Sequence, residues 1–410
     1  MNVKITKPSK EIKTFRSLPA SKSLANRSLI IRALCEESFK IKNLSNSDDT
    51  QVLNVALKNL SNPIIDIGAA GTAMRFLTAL LSITPGERIL TGSERMKQRP
   101  INELVNILNV LGAKIDYVEK EGYPPLKITG SKLNAKDISI KGNVSSQYTS
   151  ALLMIAPYLE GVFNLTIIDK ILSKDYIRMT IKLMEEFGAK VEWTGNKINV
   201  GKGSYQPKEI IIEGDWSAAS YWFEIVSLSK NAMIELTGLK KESLQGDSVL
   251  PELFKTLGVD SAFTNFGIRI KNSATLCEFF EYDFTDCPDL AQTLAVTLIA
   301  KKIPFKLTGL DNLSIKETDR IKALVVEFQK LGVNIQAESN HTLLWKGGEE
   351  IMVPENHFVE TYKDHRMALA FTPLSLVTKE LVIKDPNVVT KSYPDYWSNL
   401  EEVGFGINYF

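Results

Sequence analysis

Cysteine is scarce in this chain. Only Cys35, Cys277 and Cys287 occur in 410 residues. Their odd number and the absence of metal-ligand spacing speak against a disulfide framework or a cysteine-based zinc site. Histidine is equally rare, with three residues and no His-Glu-x-x-His pair, so no dedicated zinc site is expected. No apolar run approaches the roughly 20 residues that a membrane-crossing helix needs. Met1–Lys7 has no apolar signal core. An excess of either charge is also missing: 49 Lys and Arg stand against 48 Asp and Glu, a net charge of +1. Nothing therefore draws the whole chain to nucleic acid or to an anionic membrane, and any basic site must be local. These absences lead to the expectation of a cytoplasmic protein acting on small molecules.

What remains is ordinary for a globular protein, with 44% hydrophobic and 24% charged residues. The length suggests two or three domains. A repeat gives the organisation. Amphipathic helices end in an apolar residue, a glycine and a further small or apolar residue, at Gly112, Gly188, Gly258, Gly332 and Gly404. Successive spacings are 76, 70, 74 and 72 residues. Each glycine fits the position just past a helix end, where a left-handed conformation is favoured. The segment opened by Asp48-Asp49-Thr50, with Asp48 or Asp49 as a candidate helix cap, gives a sixth copy without its glycine. Six α/β units allow a solenoid or two lobes of three. Neither end carries the polar cap a solenoid wants, so two lobes are preferred. Val3–Arg16 alternates like a single edge strand.

The chemistry-bearing residues gather at expected helix starts. Lys22, Ser23 and Arg27 open an apolar helix after Pro19-Ala20-Ser21. A helix N-terminus already carries partial positive charge, so cations there are unfavourable unless an anion joins them. The same placement recurs at Arg99, with Pro100 suited to a first helical position, and at Lys316, Arg320, Arg366 and Lys391. Gly68-Ala69-Ala70-Gly71-Thr72 joins a strand to a helix; an anion-binding turn and close helix–strand packing are equally compatible with it. Ser145-Ser146-Gln147 and Ser173-Lys174-Asp175-Tyr176 place donors at helix starts, where plain capping is the alternative. Asp289 precedes an apolar helix that it could simply cap. Asn312 through Arg320 reads as a polar run opening a helix, and Asp364-His365-Arg366 as another. If the helix starts of both lobes face one cleft, the cations converge on a polyanion carrying phosphate and carboxylate groups. Asp289 and Glu317 would then be available for proton transfer.

Together these stretches resemble the 5-enolpyruvylshikimate-3-phosphate synthase family. The matches run in family order: Leu18–Ser23 with Asn26-Arg27, Ser47-Asp48-Asp49, Ala70–Arg75, Arg95–Ile101, Val144–Gln147, Pro288-Asp289, Lys316–Arg320, Asp364–Met367 and Pro394–Tyr396. The resemblance implies a two-lobed inverse α/β barrel of three βαβαββ repeats per lobe. Residues 1–20 and 214–410 would form one lobe, residues 21–213 the other, with the active site in the cleft between. It implies enolpyruvyl transfer from phosphoenolpyruvate to the 5-hydroxyl of shikimate 3-phosphate by a monomer, with no metal or organic cofactor. By motif position, shikimate 3-phosphate would be held by Lys22, Ser23, Arg27, Ser145, Ser146, Gln147, Ser173, Tyr176, Asp289, Asn312 and Lys316. Phosphoenolpyruvate would be held by Lys22, Gly71, Arg99, Gln147, Arg320, Arg366 and Lys391. Asp289, Glu317, Lys22 and His365 would be the catalytic set. Ala69, Phe76 and Asp175 depart from the family pattern, where Asn, Pro and Pro are usual.

Three rival readings fare less well. A UDP-N-acetylglucosamine enolpyruvyl transferase would carry a reactive cysteine before Arg99-Pro100, and Thr91–Pro100 has none. An RNA 3′-phosphate cyclase would need a basic aromatic surface. A repeat protein that only binds anions would have no use for Lys22, Asp289 and Glu317 together.

Overall fold

The computed structural model describes every residue except Val144, Asn340 and Asn356. The chain divides into two compact units: Met1–Ala20 with Glu213–Phe410, and Ser21–Ile212.

Among the described residues each unit contains three sheets, and four of these six share one topology. In the first, strands Ile64–Asp66 and Gly86–Thr91 run parallel, joined by helix Gly71–Ile83. Helix Asn102–Val110 then leads to the hairpin of Lys114–Tyr117 and Leu126–Gly130, whose second strand returns antiparallel beside Gly86–Thr91. The same order recurs in the sheet containing Asp137–Lys141 and Phe163–Ile168, and in that containing Phe280–Asp283 and Phe305–Thr308. In the fourth, Ile12–Ser17 is the first strand and its parallel partner is Ala232–Thr237. Between these two strands the chain builds the whole of Ser21–Ile212. Ala20 bridges Gly214 where it leaves and returns, and the Asp215 N–H donates to the Pro19 carbonyl at 2.8 Å.

The fifth sheet closes on the N-terminus. Asn2–Thr6 lies between Glu380–Lys384 and Gly406–Tyr409, antiparallel to both. The sixth is only Ile41–Lys42 beside Ile210–Ile211. The N-terminal residues are therefore not one edge strand. Val3 and Ile5 are fully buried in a central strand, and Ile12–Ser17 forms the edge of another sheet. The break falls at Pro8, which lacks the N–H a continuous strand would use.

Helices occupy the middle of each unit and sheets its outside. Asp137–Lys141 shows why, alternating buried isoleucines with exposed polar residues. The helix Gly71–Ile83 is instead buried almost all round. It packs with Lys22–Leu34 and Ser146–Ile155 in one unit, as Trp216–Leu228, Ala291–Ala300 and His365–Phe371 pack in the other. A helix buried this way must satisfy its own polar side chains. Thr78 and Ser82 do so by donating to the carbonyls four residues back, each at 2.7 Å. The five repeat glycines all have positive φ, from 80° to 105°. Four follow a helix directly; Gly258 stands inside strand Leu257–Phe263, after the shortened helix Leu250–Lys255.

Several helix starts differ from expectation. Ser47, not Asp48 or Asp49, occupies the cap position of Asp48–Lys58, while Asp49 faces Lys22. Pro100 is not in a helix: the next one begins at Asn102, because the Pro100 carbonyl is held by Arg75 and the Tyr148 hydroxyl. The run from Asn312 forms a 3-10 turn, Leu313–Ile315, and the helix starts only at Arg320, capped by Asp319. Lys391 ends the 3-10 turn Pro386–Lys391, ahead of the helix Tyr396–Glu402.

Candidate active site

In both units the N-terminal ends of the inner helices meet, and the expected site residues collect there as two groups.

In the unit Ser21–Ile212, the centre is Arg27, which is 2% exposed. Its Nε donates to Thr180 Oγ1 at 2.7 Å, and its Nη1 to the Ser23 carbonyl at 2.9 Å. Its Nη2 donates to Ser150 Oγ at 3.2 Å and to the Tyr176 carbonyl at 3.3 Å. These acceptors lie on three helices, so one guanidinium ties Lys22–Leu34, Ser146–Ile155 and Lys174–Glu186 together. All are neutral, and among the described residues no carboxylate pairs with Arg27. Burial pushes its pKa down to about 10, so it remains charged at neutral pH. Phe76, which departs from the family pattern, lies under the guanidinium with its ring centre 5.5 Å away.

The other residues of this group surround those helix starts. Lys22 opens its helix, with Nζ 3.6 Å from Asp49 Oδ2. Ser145 caps Ser146–Ile155 through the Gln147 N–H, and the Gln147 side chain donates to Thr72 Oγ1 at 3.1 Å. Val144, which opens that motif, lies outside the described residues. Ser173 is buried and left-handed, with φ 55°, an uncommon state for a side-chain-bearing residue. Gly71 lies against Arg99: a Cβ built there would stand 2.5 Å from Arg99 Nη1. The close approach at Gly71 is to this guanidinium, while the Gly68 carbonyl of the same turn packs against Gly92 at the end of strand Gly86–Thr91, so the turn has both close packing and a cation beside it.

In the unit Met1–Ala20 with Glu213–Phe410, the centre is Arg320, also 2% exposed. Its Nε donates to Asp364 Oδ2 at 2.8 Å, Nη1 to Asp289 Oδ1 at 2.9 Å, and Nη2 to Glu317 Oε2 at 3.0 Å. Burial opposes its charge, but Asp364, Glu317 and Asp289 outweigh that and hold its pKa above the usual arginine value. Arg366 Nη2 meets the second oxygen of Asp289 at 2.8 Å, and Lys391 Nζ meets the second oxygen of Glu317 at 2.9 Å. Asp289 is therefore no helix cap; it bridges two guanidiniums. His365 is buried, with Nδ1 3.5 Å from Asp364 Oδ1. Asn312 and Lys316 bracket the turn Leu313–Ile315.

Two members of this cluster, Tyr221 and Ser217, carried no signal of their own in the sequence, and Asp364 stood out only as part of a polar run opening a helix. Asp364 grips Arg320 with both oxygens and also caps the Arg366 N–H at 2.9 Å. It follows Tyr362 and Lys363, consecutive residues with φ 52° and 59°. Tyr221 accepts from Arg366 Nη1 at 3.2 Å, and Ser217 accepts from Nη2 at 3.4 Å. Both lie on Trp216–Leu228, whose start has no cation to draw notice.

Residues 60–400 match the family described as EPSP synthase (3-phosphoshikimate 1-carboxyvinyltransferase). The chain belongs to that family. A 3-phosphoshikimate 1-carboxyvinyltransferase of Bacteroides fragilis (strain YCH46) is 50% identical over 398 residues, 97% of each chain. One from Sulfurovum sp. (strain NBC37-1) is 34% identical over 431 residues, covering 98% of this chain and 99% of its own. Among solved structures, an EPSP synthase from Acinetobacter baumannii superposes over 100% of both chains with a TM-score of 0.81 at 21% identity, a likeness of fold. As a member of the EPSP synthase family, the chain has the mixed α/β architecture its motifs imply. Among the described residues, no helix is long and apolar enough to cross a membrane, and no group of three or more His, Cys, Asp or Glu is arranged to hold a metal ion.

Proposed function

We infer that the protein is an enzyme of aromatic amino acid biosynthesis, acting on the route to chorismate. It transfers the carboxyvinyl group of phosphoenolpyruvate to the 5-hydroxyl of shikimate 3-phosphate. Family membership over most of the chain supports the reaction. The observation that carries the site reading is Arg320, which holds Asp289 and Glu317 on one guanidinium.

The 5-hydroxyl oxygen attacks C2 of phosphoenolpyruvate as its proton leaves, and C3 gains a proton. The tetrahedral intermediate then loses phosphate, and a proton departs from C3 to restore the double bond. Asp289 takes the hydroxyl proton and Glu317 exchanges the proton at C3, with Lys22 and His365 in support. Because Arg320 touches both carboxylates, gain or loss of a proton at one changes the field at the other. Arg27, Ser23, Ser145, Ser146, Ser173, Tyr176, Asn312 and Lys316 bind shikimate 3-phosphate. Arg99, Gly71, Arg320, Arg366 and Lys391 bind phosphoenolpyruvate, and Gln147 lies between the ligands. Two anions are brought together only if fixed cations offset their repulsion, and exclusion of water strengthens that offset. The same reading makes the enzyme a cytoplasmic monomer, in keeping with the absence of a disulfide among its three cysteines.

Phosphate release measured with each substrate alone and with both together tests the assignment. Release should need shikimate 3-phosphate and phosphoenolpyruvate together. Release with UDP-N-acetylglucosamine in place of shikimate 3-phosphate would overturn it.

A further inference from the structure

Beside the Arg320 cluster and its three carboxylates lies a further carboxylate whose position the reaction does not explain. Asp247, in the 3-10 turn Gly246–Val249, is 5% exposed. Its Oδ2 accepts a short hydrogen bond from Ser217 Oγ. Ser217 Oγ in turn accepts from Arg366 Nη2 at 3.4 Å, and that same nitrogen meets Asp289 Oδ2 at 2.8 Å. A continuous path thus runs from Asp247 through one hydroxyl to the guanidinium shared with Asp289.

We propose that Asp247, acting through Ser217, is a positioning residue that sets how strongly Arg366 is available to phosphoenolpyruvate. This rests on the functional reading above. With Asp247 ionised, Ser217 directs its proton to the carboxylate and its lone pair to Arg366, so part of the guanidinium's charge is already engaged. With Asp247 protonated, the cluster gains one unit of positive charge and Arg366 is freer for the incoming anion.

The surroundings place this switch in the working pH range. Burial pushes the Asp247 carboxyl up to about 7, and nearby Asp289 and Asp215 push the same way, while Arg366 and the Ser217 hydroxyl oppose them. Other titratable groups on the elements packed against the turn are Glu224, buried on Trp216–Leu228, and the exposed Glu252 and Lys255 on Leu250–Lys255. Beyond Arg366 lie Tyr221, Arg320, Asp364, Glu317 and Lys391. Asp247 has the raised folded pKa of a buried acid, so it is protonated below that value and releases its proton above it. Bound phosphoenolpyruvate masks Arg366, favours the protonated form further, and draws a proton from solution.

The test is KM for phosphoenolpyruvate from about pH 5.5 to 8.5, at saturating shikimate 3-phosphate, for the wild type, Asp247→Asn and Ser217→Ala. Dividing wild type by variant removes the titration of the substrate's own phosphate. The wild-type-to-Asp247→Asn ratio should rise through pH 7 by about tenfold per unit of coupling between the sites. Ser217→Ala should shrink the rise. A flat ratio for Asp247→Asn overturns the proposal. Should that variant fail to fold, an unchanged profile in Ser217→Ala overturns it instead. Failure of the functional reading is distinguishable, because the wild type would then release no phosphate from the two substrates at any pH.

Discussion

Replacing Arg320 by lysine keeps the charge and removes the fork. Arg320 reaches three carboxylates from three nitrogens, at 2.8, 2.9 and 3.0 Å. An ammonium group is a compact point that can serve one of them well. At least two charge-assisted bonds are lost, each worth about 1.5–3 kcal/mol. The abandoned carboxylates remain largely buried beside one another, so a net loss of about 3–5 kcal/mol is expected. In a domain of 150–250 residues, where stability and melting temperature change by about 2–4 °C per kcal/mol, that is a fall of roughly 6–20 °C. The loss should be confined to the unit containing Arg320. Tryptophan fluorescence resolves this, because Trp216, Trp222, Trp345 and Trp397 lie in that unit and Trp193 in the other. Turnover should fall with stability, since Asp289 and Glu317 lose their common support. A fluorescence melt shifted by less than about 1 °C, with normal turnover, would refute the bridging role.

Three further expectations follow from the same geometry. Asp289→Asn should lower turnover by about 10²–10⁴-fold while leaving KM for shikimate 3-phosphate within a small factor; unchanged turnover in steady-state assays would remove Asp289 from the chemistry. Gly71→Ala should leave the melting temperature nearly unaltered, because the added carbon meets the mobile end of Arg99, yet raise KM for phosphoenolpyruvate as that guanidinium is displaced; a kinetic comparison that finds KM unmoved counts against Arg99 as a ligand. Glu224 is fully buried, and desolvation holds its carboxyl pKa well above the ordinary value, with a Thr297 hydroxyl contact opposing. The folded state therefore keeps a proton that the unfolded chain releases near about pH 4.3, and stability falls as pH rises above that value. Glu224→Gln should lessen the fall, read as urea midpoints at acid and alkaline pH; parallel curves would mean Glu224 does not titrate with folding.

Much of the architecture could be read from spacing, because a helix that must stop and turn leaves a glycine. Gly112, Gly188, Gly332 and Gly404 each follow a helix with positive φ. The electrostatics could not be read that way. Cations at helix starts look like sites waiting for an anion, and Arg27 fits that description. Arg320 and Arg366 differ, since they already carry carboxylate partners in Asp289, Glu317 and Asp364. Apart from Arg320–Glu317, three residues apart, those pairings join segments distant in the chain, so local pattern carries no trace of them. Asp364 is one carboxylate before a helix like many others until the fold brings Arg320 to it. Pro100 was misleading for a related reason: a tertiary hydrogen bond from Tyr148 overrides the local preference for a first helical turn. The N-terminal alternation was real but belonged to two strands, and only pairing partners hundreds of residues away tell them apart.

That N-terminal arrangement bears on how the chain can fold as it is made. Asn2–Thr6 is synthesised hundreds of residues before its two neighbours, Glu380–Lys384 and Gly406–Tyr409. The intervening unit, Ser21–Ile212, is contiguous in the chain. It can close while the ribosome is still extending the rest. The first strand must stay unpaired until the final residues emerge, and the loop it closes is nearly the length of the protein, which slows that step. Pulse-labelled hydrogen exchange during refolding should find amides of residues 146–155 protected well before those of residues 2–6, and simultaneous protection would show that the ends meet early. The pairing of Asn2–Thr6 is thus among the last contacts of its unit to be secured, and a substitution within that strand acts on a late step of folding rather than on an edge.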